Sequence, residues 1–210
     1  MGDLATTAYF GNNFVPRRKP VLRTTLVAAL LPLCWLAMQI VHEAGHVVAG
    51  WATGGTVTAV VLHPLAISRT DVSPNPSPLA VVWAGPLVGV IAPVIVWLIA
   101  AALRLPSAYL WRFFAGFCLI ANGVYLGSAV VQPVGDAADL LRHGSRLWTL
   151  AAFGLVTVPA GFSLWNGLGP SFGFGKEPRT VLERHVWGTC ILLGVVIAAE
   201  LAWSGLMNFR

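Results

Sequence analysis

The sequence predicts an all-α polytopic membrane protein of about five transmembrane helices, with one short β segment or interfacial loop after the first span. Three observations carry that prediction. Of the 210 residues, 57% are hydrophobic and only 10% charged, with a mean hydropathy of +0.76, whereas a soluble domain has about 25% charged residues to turn towards water. The apolar residues gather into long runs separated by Gly, Pro and charged residues, and a helix needs about 17–25 such residues to cross hydrocarbon. A single β-branched cluster, Thr56-Val57-Thr58-Ala59-Val60-Val61-Leu62, has the character of a short strand.

In chain order, residues 1–20 form a polar tail ending in Arg17, Arg18, Lys19 and Pro20. The apolar run that follows, 21–50, is much longer than the core of about 7–15 residues in a signal peptide, so it reads as a retained first span. Gly54-Gly55 stops that helix before the β segment. Arg69 to Pro78, with Pro74, Pro76 and Pro78, reads as an irregular loop. The second span, 79–103, is closed by Arg104 and Pro106; the third, 108–131, has Arg112 near its start and Asn122 in its middle. Gln132-Pro133 ends the third, and spans at 148–165 and 187–206 complete the set, the last containing Glu200. Residues 21–210 therefore read as a single membrane-embedded domain in an integral, multi-pass protein of the cell membrane.

Several function classes fall away. The net charge of +5 comes from scattered residues rather than one basic stripe, so nucleic acid is not an expected partner. Cys34, Cys118 and Cys190 lie in apolar stretches without CxxC spacing and read as small buried hydrophobes. The Gly-rich segment 166–175 fits neither GxGxxG nor a Gly-Lys-Ser/Thr phosphate loop and reads as a surface loop. No inverted repeat suggests a transporter.

The chemistry concentrates in His42-Glu43-Ala44-Gly45-His46. On a helix His42 and His46 lie one above the other on one face, as two ligands of a single metal must. Neutral imidazoles suit zinc, and Glu43 beside the first histidine can act as general base towards a metal-activated water. Ionisable groups in a span are costly and usually mark a working site or a buried pair. A catalytic zinc takes three protein ligands, so a third must come from elsewhere: His63, His143, His185, Asp136 or Asp139. Asp136 is the most attractive, because Pro133 breaks the preceding helix and Gly135 lets the backbone turn the carboxylate inward. Asp139 remains the alternative; its other reading is a charge at a helix N-terminus. Asn122 is open to a packing role or a role at the site, and Glu200 to a bundle-facing or gating role.

HEAGH on one span, the later Ser128-Ala-Val-Val-Gln132-Pro133-Val134-Gly135-Asp136-Ala137 and the intervening Ala84-Gly85-Pro86 together resemble the site-2 protease family of intramembrane zinc metallopeptidases. The resemblance covers about Leu31 to Leu141. It implies one zinc ion held by His42, His46 and Asp136, with Glu43 catalytic, and hydrolysis of peptide bonds in a membrane protein or peptide substrate within the lipid bilayer. Three positions depart from the family pattern: Ser128 replaces its Asn, Ala137 the Gly after the Asp, and Gly89 the Asn after Ala-Gly-Pro. Ser128 and Asn122 are thus the candidates for contacts to substrate or transition state. The β segment could supply an edge that extends a substrate by β-augmentation. The alternative is a non-proteolytic relative that binds a membrane partner. With five spans, the cations at 17–23 and 176–184 fall on one side and place the N-terminus in the cytoplasm, while the family habit of a site near the cytoplasmic face points the other way.

Overall fold

The computed structural model describes residues 18–208, so the tail expected at 1–20 lies outside the described residues apart from its last three, which are already helical. Five helices are long and apolar enough to cross a membrane. They are α1 (Arg18–Ala52), α2 (Pro78–Ala102), α3 (Ala108–Gly127), α5 (Leu147–Trp165) and α6 (Glu183–Asn208). A short α4 (Asp136–Arg142) sits between α3 and α5. The chain is an all-α membrane protein with a small β element, and the expected span limits shift by a few residues at most.

Helix α1 has 35 residues, about 52 Å at 1.5 Å per residue, and packs on both α2 and α6. Its contact with α2 is a backbone crossing. A Cβ on Gly45 would collide with the Ala84 carbonyl oxygen and come within 2.9 Å of the Gly85 Cα, so the glycine inside HEAGH is what lets the two helices meet. Helices α3 and α5 approach in the same manner: a Cβ on Gly154 would stand 2.7 Å from the Gly123 carbonyl oxygen, and one on Gly161 2.7 Å from that of Gly116. Small residues at such crossings replace the hydrophobic drive that lipid does not supply.

The stretch 69–78 differs from its reading as wholly irregular. Arg69–Val72 is a strand, β2, antiparallel to β1 (Val57–Val61), with Val57 opposite Val72 and Val61 opposite Arg69. A lone strand leaves its backbone groups unpaired, and β2 supplies the partner. Its composition only half announced it: Thr70 and Val72 suit a strand, whereas Asp71 and the prolines that follow do not.

Successive spans alternate in direction. The starts of α1, α3 and α6 share one end of the bundle with the ends of α2 and α5. The β-hairpin, α4 and the end of α6 lie at the other, where the Trp203 indole N–H donates to the Val60 carbonyl (2.7 Å) and the Trp83 indole N–H to the Ser145 hydroxyl (3.0 Å).

Candidate metal centre

His42, Glu43 and His46 sit about two turns before the end of α1 and are all buried. The Asp136 carboxylate comes to them from the first residue of α4. Its Oδ2 lies 2.8 Å from His42 Nε2 and 3.3 Å from His46 Nε2, and the three ligand-type atoms fall within 4.8 Å of one another. Gly135 makes the approach possible with φ +53°, a conformation that L side chains rarely adopt. The Asp136 backbone N–H donates to the Tyr125 hydroxyl oxygen at 2.9 Å, which pins the start of α4 to α3.

The outer nitrogens of both rings are committed. His46 Nδ1 lies 2.8 Å from the Val81 carbonyl oxygen, which can only accept, so that nitrogen bears hydrogen. Asn122 donates its amide N–H to the Cys118 carbonyl at 2.9 Å, which turns its Oδ1 towards His42 Nδ1 at 2.7 Å. His42 Nδ1 therefore also donates. In neutral rings both Nε2 atoms then present lone pairs, and they converge on a carboxylate oxygen. Three acceptors at such distances need a shared cation. A proton on either ring meets that need in part; a divalent cation meets it for all three atoms at once. Two histidines and one carboxylate, each histidine anchored through its other nitrogen, make a donor set of the open zinc type. Burial opposes ionisation of Asp136, but its contacts with His42 and His46 outweigh that and hold the carboxyl well below the usual carboxylate range.

Space beside the cluster is preserved by Gly85, where a Cβ would collide with the His46 ring and lie 2.8 Å from His42 Nε2. Gly89 does the same for Asn122, whose amide atoms would stand 2.9 Å from its Cβ. The cluster opens into a cavity of about 1100 Å³. Trp35, Met38, Ile67, Ile120 and Val124 form apolar lining, and β2 contributes all four of its residues, β1 only Val61. The strand facing the cavity is therefore β2 rather than the expected 56–62 segment. Gln39 and Glu43, one turn apart on α1, hold it in place: the Ser68 backbone N–H donates to Gln39 Oε1 (2.9 Å) and the Thr70 hydroxyl to Glu43 Oε2 (2.7 Å).

The remaining candidates lie outside the three-residue cluster. Asp139 lines the cavity, but its Oδ1 pairs with Arg142 at 2.6 Å and it lies outside the three-residue cluster. Ser128 is exposed, donates to the Tyr125 carbonyl at 2.9 Å and does not line the cavity. Asn122 is buried and lines the cavity; its Oδ1 faces His42 Nδ1 and one amide N–H is held by the Cys118 carbonyl, so it orients His42. His63 Nδ1 accepts the Leu65 N–H, His143 bonds the Asp139 carbonyl, and His185 bonds Tyr109. Glu200 is buried in α6 with Oε2 unpartnered. Sequence reasoning did not reach Tyr125, Thr70 or Gln39, because each contacts the site through a non-local hydrogen bond that no local spacing announces. No family profile, curated protein or solved structure matches this chain.

Proposed function

We propose that the protein is an intramembrane zinc metalloprotease that hydrolyses peptide bonds of membrane-associated chains. The convergence of two imidazole lone pairs and the Asp136 carboxylate beside Glu43, at the head of a large cavity, is the observation that carries the reading. His42, His46 and Asp136 would hold the ion, with Asn122 and the Val81 carbonyl fixing which ring nitrogens face it. When bound, zinc supplies a Lewis acid that polarises the scissile carbonyl and acidifies water enough for attack near neutral pH.

The chain's own groups do the rest. Glu43 is the general base: it takes a proton from the attacking water and delivers it to the leaving amine, a role worth about 10²–10⁴-fold in rate. The Thr70 hydroxyl on Oε2 fixes the carboxylate's rotation and leaves Oε1 for the water. A helical substrate has its carbonyls tied up in hydrogen bonds and must be locally extended first. Strand β2, along the cavity wall, offers the edge on which that can happen. The apolar lining accepts the side chains of a membrane segment, and the protein of this reading works on a substrate embedded in the bilayer.

The test is metal analysis of purified protein together with cleavage of a single-span model peptide. Glu43→Gln should keep its zinc and lose cleavage; Asp136→Asn should lose zinc, and Asp139→Asn should not. Cleavage retained in Glu43→Gln sinks the mechanism. Zinc bound without cleavage of any membrane peptide favours the non-proteolytic, partner-binding alternative.

A further inference from the structure

We propose that the candidate metal centre opens to the non-cytoplasmic side of the membrane, so that its substrates are membrane-anchored polypeptides whose scissile segment lies at the outer interface. What is done there rests on the proteolytic reading above; the orientation itself does not.

Two placements combine. The first is depth. His42 and His46 lie ten and six residues before Ala52, the end of α1, which is about 15 and 9 Å at 1.5 Å per residue. They lie 24 and 28 residues after its start, about 36 and 42 Å. The lid of the site comes from the same end: the β-hairpin lies between α1 and α2, and α4 between α3 and α5. The centre therefore communicates with the hairpin end of the bundle and is far from the opposite one.

The second is charge. At the opposite end lie Arg18, Lys19 and Arg23 in the first turns of α1, Arg104 and Arg112 about the α2–α3 turn, and Lys176, Arg179 and Arg184 before and at the start of α6. The hairpin end has only Arg69, Arg142 and Arg146 among the described residues. Lys and Arg in short loops near span ends are retained on the cytoplasmic side, and Asp and Glu count for little. All loops concerned are short. The bias thus puts the opposite end in the cytoplasm and the hairpin, α4 and cavity mouth outside.

The experiment reads orientation without using activity. Ala66→Cys, in the exposed hairpin loop, and Thr180→Cys, in the exposed segment before α6, are each expressed in bacterial spheroplasts and treated with a membrane-impermeant maleimide. The parent chain is the control, since Cys34 and Cys118 are buried and Cys190 is half-buried. Leu65→Cys and Pro178→Cys repeat the test at a second position on each side. The expected result is labelling at 65 and 66 in sealed spheroplasts and at 178 and 180 only after permeabilisation. The reverse pattern, or equal labelling of both sides in sealed spheroplasts, overturns the proposal. The expected labelling in a protein without proteolysis upholds the orientation and overturns the functional reading alone; reversed labelling in an active protease does the opposite.

Discussion

The hydroxyl of Tyr125 accepts the backbone N–H of Asp136 at 2.9 Å, and the same hydroxyl occupies the place that a Cβ on Gly135 would need. The Tyr125 ring also stands edge-on to His42, with centroids 6.0 Å apart. One side chain thus touches two of the three candidate ligands, one through its ring and the other through a main-chain hydrogen bond. Tyr125 is a positioning residue for Asp136, in the manner of outer groups that orient the ligands of a metal.

Tyr125→Phe keeps the ring beside His42 and removes the acceptor. Zinc affinity, measured by competition with a chromogenic chelator, should fall about 10–100-fold, the usual cost of losing such a group. The thermal midpoint should move little. Unchanged affinity would show that Pro133 and Gly135 aim Asp136 without help.

Gly85 and Gly89 form a graded pair on α2. Gly85→Ala drives a methyl against His46 and His42, whereas Gly89→Ala presses on Asn122, one contact further out. Zinc affinity should drop by about 100-fold or more in the first and about 10–100-fold in the second. Equal, small losses in both would mean that α2 shifts away from α1 freely, contrary to the tight Gly45–Ala84 crossing.

How far the sequence carries this architecture depends on how local each cue is. HEAGH is legible because helical spacing and ligand chemistry lie in one turn, and the spans because apolar runs of membrane length admit few other readings. Asp136 is favoured over Asp139 by a local cue, the Pro133 break and the glycine at 135, whose φ is +53°, but only the fold puts Asp139 outside the cluster. Strand β2 was not legible: its four residues include Thr70 and Val72 but are too few and too close to three prolines to read as a strand, and its pairing with 57–61 is made across a turn. Ser128 was singled out by alignment with a family pattern, but the chain turns there in a short 3₁₀ segment, Ser128–Val130, that leaves its side chain outside the cavity. Tyr125 was missed for a related reason. The reversal between 128 and 135 returns Asp136 to it, a proximity that helical periodicity does not encode.

Thr70 bears on Glu43 alone. Thr70→Val keeps the β-branched shape on β2 and deletes the hydroxyl that bonds Glu43 Oε2. Zinc content should be unchanged, and kcat for a model peptide should fall about 10–100-fold, on the order of the 1.5–3 kcal/mol of a hydrogen bond to a charged group. A rise in KM with kcat intact would assign Thr70 to substrate docking along β2.

Metal binding should also depend on pH with a predictable sign. Ligands must be deprotonated to bind, so protons compete with the metal for the imidazole nitrogens. The Asp136 carboxyl is held below the usual carboxylate range, first against the cost of burial and then by its contacts with His42 and His46. It therefore stays ionised near neutral pH and adds no proton competition there. Apparent zinc affinity should therefore fall as pH is lowered, by up to one proton for each histidine that holds the ion. In Asp136→Asn the overall affinity should be much lower while a fall on acidification remains, because the competing protons belong to the rings. A slope of one proton rather than two, measured by chelator competition across the range, would mean that only one of His42 and His46 holds the ion.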